Sequence, residues 1–262
     1  SDLDLLVAPQ DAHRAIERLE SVGYESGASL IRDDFFPKHH YEKEMILPGP
    51  RPVRVDLHAH PWRPMHLAQV VSHDAFRADA VCVPLGDTSI LIPSPATMFV
   101  HLAAHAAFHD CSRLIWLYDL KRMSDHYSGM LDWNLVVDRA RHWHLTLAVR
   151  TALDRAQSLF GEISPPGISR KLADAPSAWR DRLTLWHTPR DASSPLLHVA
   201  CNLLCLRGVS PRIAYLAAML CPGKSHLAES YRFRHAGWTW CAHGLRALRA
   251  VRRALAAPLS VV

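Results

Sequence analysis

Long apolar runs are what this sequence most clearly lacks. None approaches the ~18–20 residues of a membrane span, and the longest, around Leu196–Leu206 and Ile213–Cys221, are short and flanked by His, Arg or Pro. No signal-peptide pattern opens the chain, so the cytoplasm is the expected compartment. Six cysteines (Cys82, Cys111, Cys201, Cys205, Cys221, Cys241) include no CxxC pair, and the chain is too large to need a disulfide framework; reduced, buried thiols are expected. Glycine repeats and low-complexity tracts are also absent, excluding fibrous and disordered classes.

Acid is scarce in one place only. Residues 201–262 hold nine Lys or Arg against the single acid Glu229, a local charge of +8 within a chain whose formal charge is +5, so the first 200 residues carry −3. Inside that basic stretch, Tyr231 to Ala256 reads as an amphipathic helix, with Trp238, Trp240, Leu245, Leu248, Val251 and Leu255 opposite its arginines. A packed helix with a solvated basic face is the first reading, weak contact with an anionic surface the second. No nucleic-acid-reading motif accompanies it. With 262 residues, 49% hydrophobic and 21% charged, the chain can bury a sizeable core in one large domain or two small ones.

The residues that point to chemistry come first. Ser1-Asp2-Leu3-Asp4-Leu5-Leu6-Val7 alternates like a strand already in progress and reads as a fragment start. On a strand, Asp2 and Asp4 share one face, where two carboxylates repel unless a cation lies between them, while Leu3 and Leu5 are expected to enter the core. Pro9 to Val22 reads as a helix with Gly23 as its C-cap. Lys38 to Leu47 reads as a strand that turns at Gly49-Pro50. Pro52 to His60 alternates again, with Val53, Val55 and Leu57 on one face and Arg54, Asp56 and His58 on the other. Three acids from two neighbouring strands suit two Mg²⁺ ions about 3.5–4 Å apart, an arrangement that clamps a triphosphate and activates a hydroxyl.

These residues carry a family resemblance. Ser-Asp-Leu-Asp-Leu-Leu-Val, the helix ending in Gly23-Tyr24, the His39/His40 strand and Val-Asp-Leu-His resemble the nucleotidyltransferase superfamily of the DNA polymerase β type. More narrowly, they are similar to a bacterial family described as uncharacterised nucleotidyltransferases. Pro93-Ser94-Pro95-Ala96, His105 and His109, and Leu114 to Leu120 extend the resemblance to about residue 125. It implies transfer of a nucleoside monophosphate from an NTP to an acceptor, with Asp2, Asp4 and Asp56 holding two Mg²⁺ and Asp56 drawing the acceptor's proton. Ser1, His58, His105 and Asp119 are the candidate substrate-binding residues. The superfamily's Gly-Ser element, which holds the triphosphate, would precede Ser1, so weak NTP binding is the expectation for this sequence alone.

Two other function classes compete. A degenerate member serving as a binding module would need none of the acids. A metal-dependent hydrolase would use Asp56, His58 and His60, since HxH places two imidazoles on one face at a strand end. A strand–helix barrel built on that motif needs about seven more units of ~25–30 residues, more than the chain holds after His60.

Beyond His60 the chain reads as one hairpin, Ala80–Leu85 and Thr88–Ile92, and then as helices. Ser94 as N-cap and Pro95 start the first of them, whose His101, His105 and His109 form a stripe. Asp119, inside an otherwise apolar Arg113–Met123, is expected to point inward and pair with His105 or His109. Trp133, Val136, Val137, Trp143 and Leu147 are core candidates further on. The expected class is α+β: a small mixed sheet forming a nucleotidyltransferase-like core over 1–93, then a helical lobe over 94–262 with a possible sub-boundary at 161–167.

Overall fold

A computed structural model describes residues 2–26, 35–175, 177–188 and 195–221. Its strands are β1 (Asp2–Leu6), β2 (Glu25–Ser26), β3 (Glu42–Leu47), β4 (Val53–His58), β5 (Val81–Leu85) and β6 (Thr88–Ile92). The helices are α1 (Ala12–Ser21), α2 (Phe35–Lys38), α3 (His73–Arg77), α4 (Pro95–Phe108), α5 (Leu114–His126) and α6 (Trp133–His142), followed by α7 (Thr146–Phe160), α8 (Ile168–Ala173), α9 (Trp179–His187), α10 (Pro195–Cys205) and α11 (Val209–Leu220). The class is α+β, as the sequence indicates. No helix among the described residues is long and apolar enough to cross a membrane. The chain forms two compact units, Ser1–Ala59 with Gly208–Val262, and His60–Arg207. The 93/94 junction read from the sequence falls inside the second unit, between β6 and α4. The basic stretch Tyr231–Ala256 lies outside the described residues.

The first unit is built on a four-stranded sheet in the order β1-β4-β3-β2, with β1 parallel to β4 and the other pairs antiparallel. Sheet alternation sorts its side chains. Met45, Val55, Leu57 and Ala59 are buried, and Ala12 of α1 with Phe36 closes over Leu57 and Ala59, flanked by Val7, Ala15 and Ile16. The connection after α1 is a Schellman turn: the Tyr24 amide donates to the Leu19 carbonyl at 3.1 Å and the Gly23 amide to the Glu20 carbonyl at 3.0 Å. Gly23 takes φ +96° there, a conformation that costs glycine nothing. Three expectations need correction. Leu3 and Leu5 do not enter the core but stay exposed, Leu3 at 54%, because β1 is the edge strand and nothing among the described residues covers that end of its face. The third strand starts at Glu42, since the Phe35–Lys38 segment before it is kinked at Phe36, whose backbone is extended (φ −87°, ψ 134°). Only Cys201 and Cys205 are buried among the described thiols; Cys82 and Cys221 are exposed and Cys111 lies between.

The second unit opens with a loop that buries Trp62, Met65, His66 and Leu67, continues through the β5–β6 hairpin turning at Gly86 with φ +56°, and is otherwise helical. At its centre α4 packs on α5, α6 and α7. Alanines at 103, 104, 106 and 107 are fully or almost fully buried, and their lack of bulk lets α7, with Val149, Ala152, Leu153 and Ala156, approach closely. Thr97's amide donates to Ser94 Oγ at 3.3 Å, so Ser94 does cap α4.

A polar network ties this helix start to its neighbours. Arg139 Nη2 sits 2.6 Å from Asp79 Oδ2, Arg139 Nη1 donates to Ser94 Oγ at 3.1 Å, and Thr97 Oγ1 donates to Asp79 Oδ1 at 3.2 Å. Burial pushes the Asp79 carboxyl up, but hydrogen bonds from Ser94 and Arg139 and the Arg139 charge outweigh it and hold the group below the usual carboxylate range. Arg139→Met is therefore expected to cost about 1–3 kcal/mol in urea unfolding, because it strands a partly buried carboxylate. Adding Asp79→Asn should return part of that loss; a double variant as unstable as Arg139→Met alone would mean the arginine acts through packing on Trp143 instead.

Candidate active site

The candidate carboxylates meet through strand register. In the parallel β1–β4 pair Asp4 is the partner of Asp56, and Asp2 of Arg54. In the antiparallel β3–β4 pair Asp56 also faces Glu44, and His58 faces Glu42. Partners across a ladder share a face, so Asp4, Asp56 and Glu44 form a row across three strands, opposite the face that buries Val55, Leu57 and Met45. Neighbouring strands lie about 4.8 Å apart, close enough for adjacent carboxylates to repel and to gain from a cation between them.

The row is not left unbalanced. Arg54 Nη1 lies 3.5 Å from Glu44 Oε1. His58 Nε2 lies 2.8 Å from Asp4 Oδ1, and because an ionised carboxylate only accepts, the ring donates through Nε2. The His58 side chain is 14% exposed and that of Asp4 73%, so the imidazole holds a largely exposed side chain from inside the sheet face. Its Nδ1 is buried without a hydrogen-bond partner among the described residues. Tyr41 packs its ring 5.6 Å from that of His58, and the Val7 amide donates to the His58 carbonyl at 2.9 Å, extending the ladder past β1. Together these contacts leave the His58 ring little room to turn away from Asp4.

Asp4, Asp56 and His58 are thus brought together as the alternation suggested. Ser1 lies outside the described residues, and Asp2 is placed by its backbone register alone. Glu42 and Glu44 were missed, although Glu42-Lys43-Glu44 carries the same two-residue spacing that marks Asp2 and Asp4. Among the described residues no group of three His, Cys, Asp or Glu side chains converges closely enough to hold a metal ion. The donor chemistry nevertheless fits Mg²⁺: hard carboxylate oxygens on adjacent strands, one of them pre-oriented by a histidine.

His105 and Asp119 belong to the second unit, on α4 and α5. The structure does not bring them together. His105 and His109 place their rings 5.0 Å from that of Trp116, His105 edge-on, so the indole and not Asp119 packs beside them. Asp119 is partly buried, no hydrogen bond or ion pair reaches it among the described residues, and burial raises its carboxyl pKa. Trp116 precedes it by three positions and takes the place beside the histidines that was expected of the acid. For the hydrolase alternative, β4 ends at His58, His60 falls in the bend after it, and the sheet has four strands in mixed directions, which is no barrel.

A family model described as uncharacterised nucleotidyltransferase matches residues 1–161, more than half of the chain and all of the four-stranded sheet. No curated protein and no solved structure matches the chain.

Proposed function

Because the chain belongs to the family of uncharacterised nucleotidyltransferases, we propose that it moves a nucleoside monophosphate from an NTP to an acceptor hydroxyl, using carboxylates arranged as in polymerase β-type enzymes. The observation that carries this reading is the register pairing of Asp4 with Asp56, with His58 locked onto Asp4 at 2.8 Å. Asp2, Asp4 and Asp56 are the residues assigned to hold Mg²⁺. When bound, the metal supplies positive charge against the phosphates and lowers the acceptor's pKa. Asp56 takes the acceptor's proton as that oxygen forms its bond to the α-phosphorus; the bond from the α-phosphorus to the bridging oxygen breaks, and pyrophosphate leaves with the electron pair. His58 is a positioning residue, because it touches the Asp4 carboxylate and not the reacting atoms.

Calorimetric titration of the chain with Mg²⁺ and each NTP tests the reading. Binding that requires Mg²⁺ and weakens about tenfold or more in Asp4→Asn is the expected outcome. Binding that ignores both Mg²⁺ and Asp4→Asn would favour the binding-module alternative, in which the fold persists without the chemistry.

A further inference from the structure

A second cluster of polar side chains lies in the His60–Arg207 unit, at the turn between α4 and α5, and of its members the family resemblance assigns a role to His105 alone. Here α4 ends and the chain reverses through Asp110 and Cys111, two consecutive non-glycine residues with φ of +56° and +49°. The turn is a Schellman-type C-cap of α4, in which the Cys111 amide donates to the Ala106 carbonyl at 2.8 Å and the Asp110 amide to the Ala107 carbonyl at 3.0 Å. The turn brings both His109 and Arg113 to Trp116. His109 has its ring 5.0 Å from that of Trp116, and the Arg113 guanidinium lies 4.9 Å from the indole centroid. His105 adds a second imidazole, 4.7 Å from His109 and edge-on to Trp116 at 5.0 Å.

The charges here run against the fold's own preferences. Arg113 is the N-cap of α5, its side chain makes no capping hydrogen bond, and the first turn of the helix carries no acid. A cation at the positive end of a helix dipole is disfavoured, and the usual Ser, Thr, Asp or Asn is missing. Asp110, the nearest acid in sequence, makes no ion pair with Arg113 or His109. Desolvation by its neighbours, then the charges of Arg63 and Arg113, lower the His109 pKa.

We propose that Arg113, His109 and Trp116, backed by His105, form a recognition site for the phosphate group of a small phosphorylated molecule, free or esterified. The guanidinium supplies a planar pair of donors to phosphate oxygens, the imidazole a further donor, and the indole holds the guanidinium by cation–π contact while leaving its edge free. Its ligand chemistry is opposite in sign to that of the carboxylate row.

Titration of the full chain with inorganic phosphate, glycerol phosphate, AMP and adenosine, at constant ionic strength, tests it. Phosphate and both esters should bind, with affinity that falls as salt rises, and adenosine should not. Arg113→Gln should weaken binding about tenfold or more, and His109→Gln by a smaller factor. Both residues are exposed, so an unchanged circular dichroism spectrum is expected alongside the loss. Asp4→Asn should leave phosphate binding as it is, which keeps failure here distinct from failure of the transferase reading. Equal affinity for the three phosphates identifies a site for the phosphate alone; AMP binding at least tenfold tighter than glycerol phosphate identifies a nucleotide. Phosphate binding unaffected by Arg113→Gln, or no phosphate binding at all, overturns the proposal.

Discussion

Asp56→Asn should lower Mg²⁺-dependent release of pyrophosphate from an NTP by about 10²–10⁴-fold, the range that a positioned proton acceptor contributes. The substitution is isosteric and the residue is only partly buried, so the sheet should survive it. What changes is chemistry: an amide cannot take the proton that the attacking oxygen must lose, and it removes one negative charge from the row formed with Asp4 and Glu44. His58→Gln provides the contrast. It deletes the 2.8 Å bond that orients Asp4 and leaves the acid itself in place, so the loss should fall near 10–100-fold and show as a raised Mg²⁺ requirement. Excess Mg²⁺ should therefore restore much of the His58→Gln activity and none of the Asp56→Asn activity. If both variants responded alike to added metal, Asp56 would be another orienting group and the proton would need a different acceptor.

Acidification should destabilise the chain through one histidine before carboxylates matter. His66 is 3% exposed, and its pKa falls to about 4, first because burial penalises the charged ring, then because Arg207, Arg180, His187 and His144 add positive charge around it. Its ring Nε2 and Thr184 Oγ1 are 3.4 Å apart, and no carboxylate among its described neighbours favours the protonated ring. The folded pKa is below the unfolded value near 6.5, so between these two values the unfolded chain binds a proton that the folded chain refuses. Stability is thus full above about pH 6.5 and declines as pH falls to about 4, by a total of about 3 kcal/mol, after which this group contributes no further slope. Asp181 in the same unit has a raised pKa, chiefly from burial, and acts with the opposite sign. Asp79, held low, loses its contribution only in the acid range. Urea unfolding at a series of pH values isolates the histidine when the profile is compared with that of His66→Gln. The variant should be less stable at pH 7.5, where it loses a fitted side chain, and should lack most of the slope between pH 6.5 and 4. A parallel pair of profiles would show that the buried ring titrates normally.

Most of the secondary structure was legible in the pattern of residues. The two-residue alternation around Asp4 and Asp56 marked β1 and β4 because a sheet with one buried face must alternate. Ser94-Pro95 announced α4 because its unpaired amides need a cap. What misled was environment. Leu3 and Leu5 look like core residues because they alternate with acids, yet their strand is at the sheet edge, and edge position is a property of strand order, which no local pattern encodes. Asp119 looked like an inward carboxylate within an apolar helix, but the helix presents Trp116 to His105 and His109. Glu44 was unremarkable until the antiparallel register set it beside Asp56.

By itself, then, the sequence determined the element types, the alternation that separates acid from apolar faces, and membership in a nucleotidyltransferase family. These depend on intervals of two to four residues and on short motifs, which are local. The tertiary structure alone decided that Asp4 and Asp56 are register partners across 52 residues of chain, that His58 steadies Asp4, and that His66 is sealed from water. Each of these is a contact between residues far apart in the chain or on separate elements. Its energy comes from desolvation and charge proximity, which exist only after the chain has closed on itself.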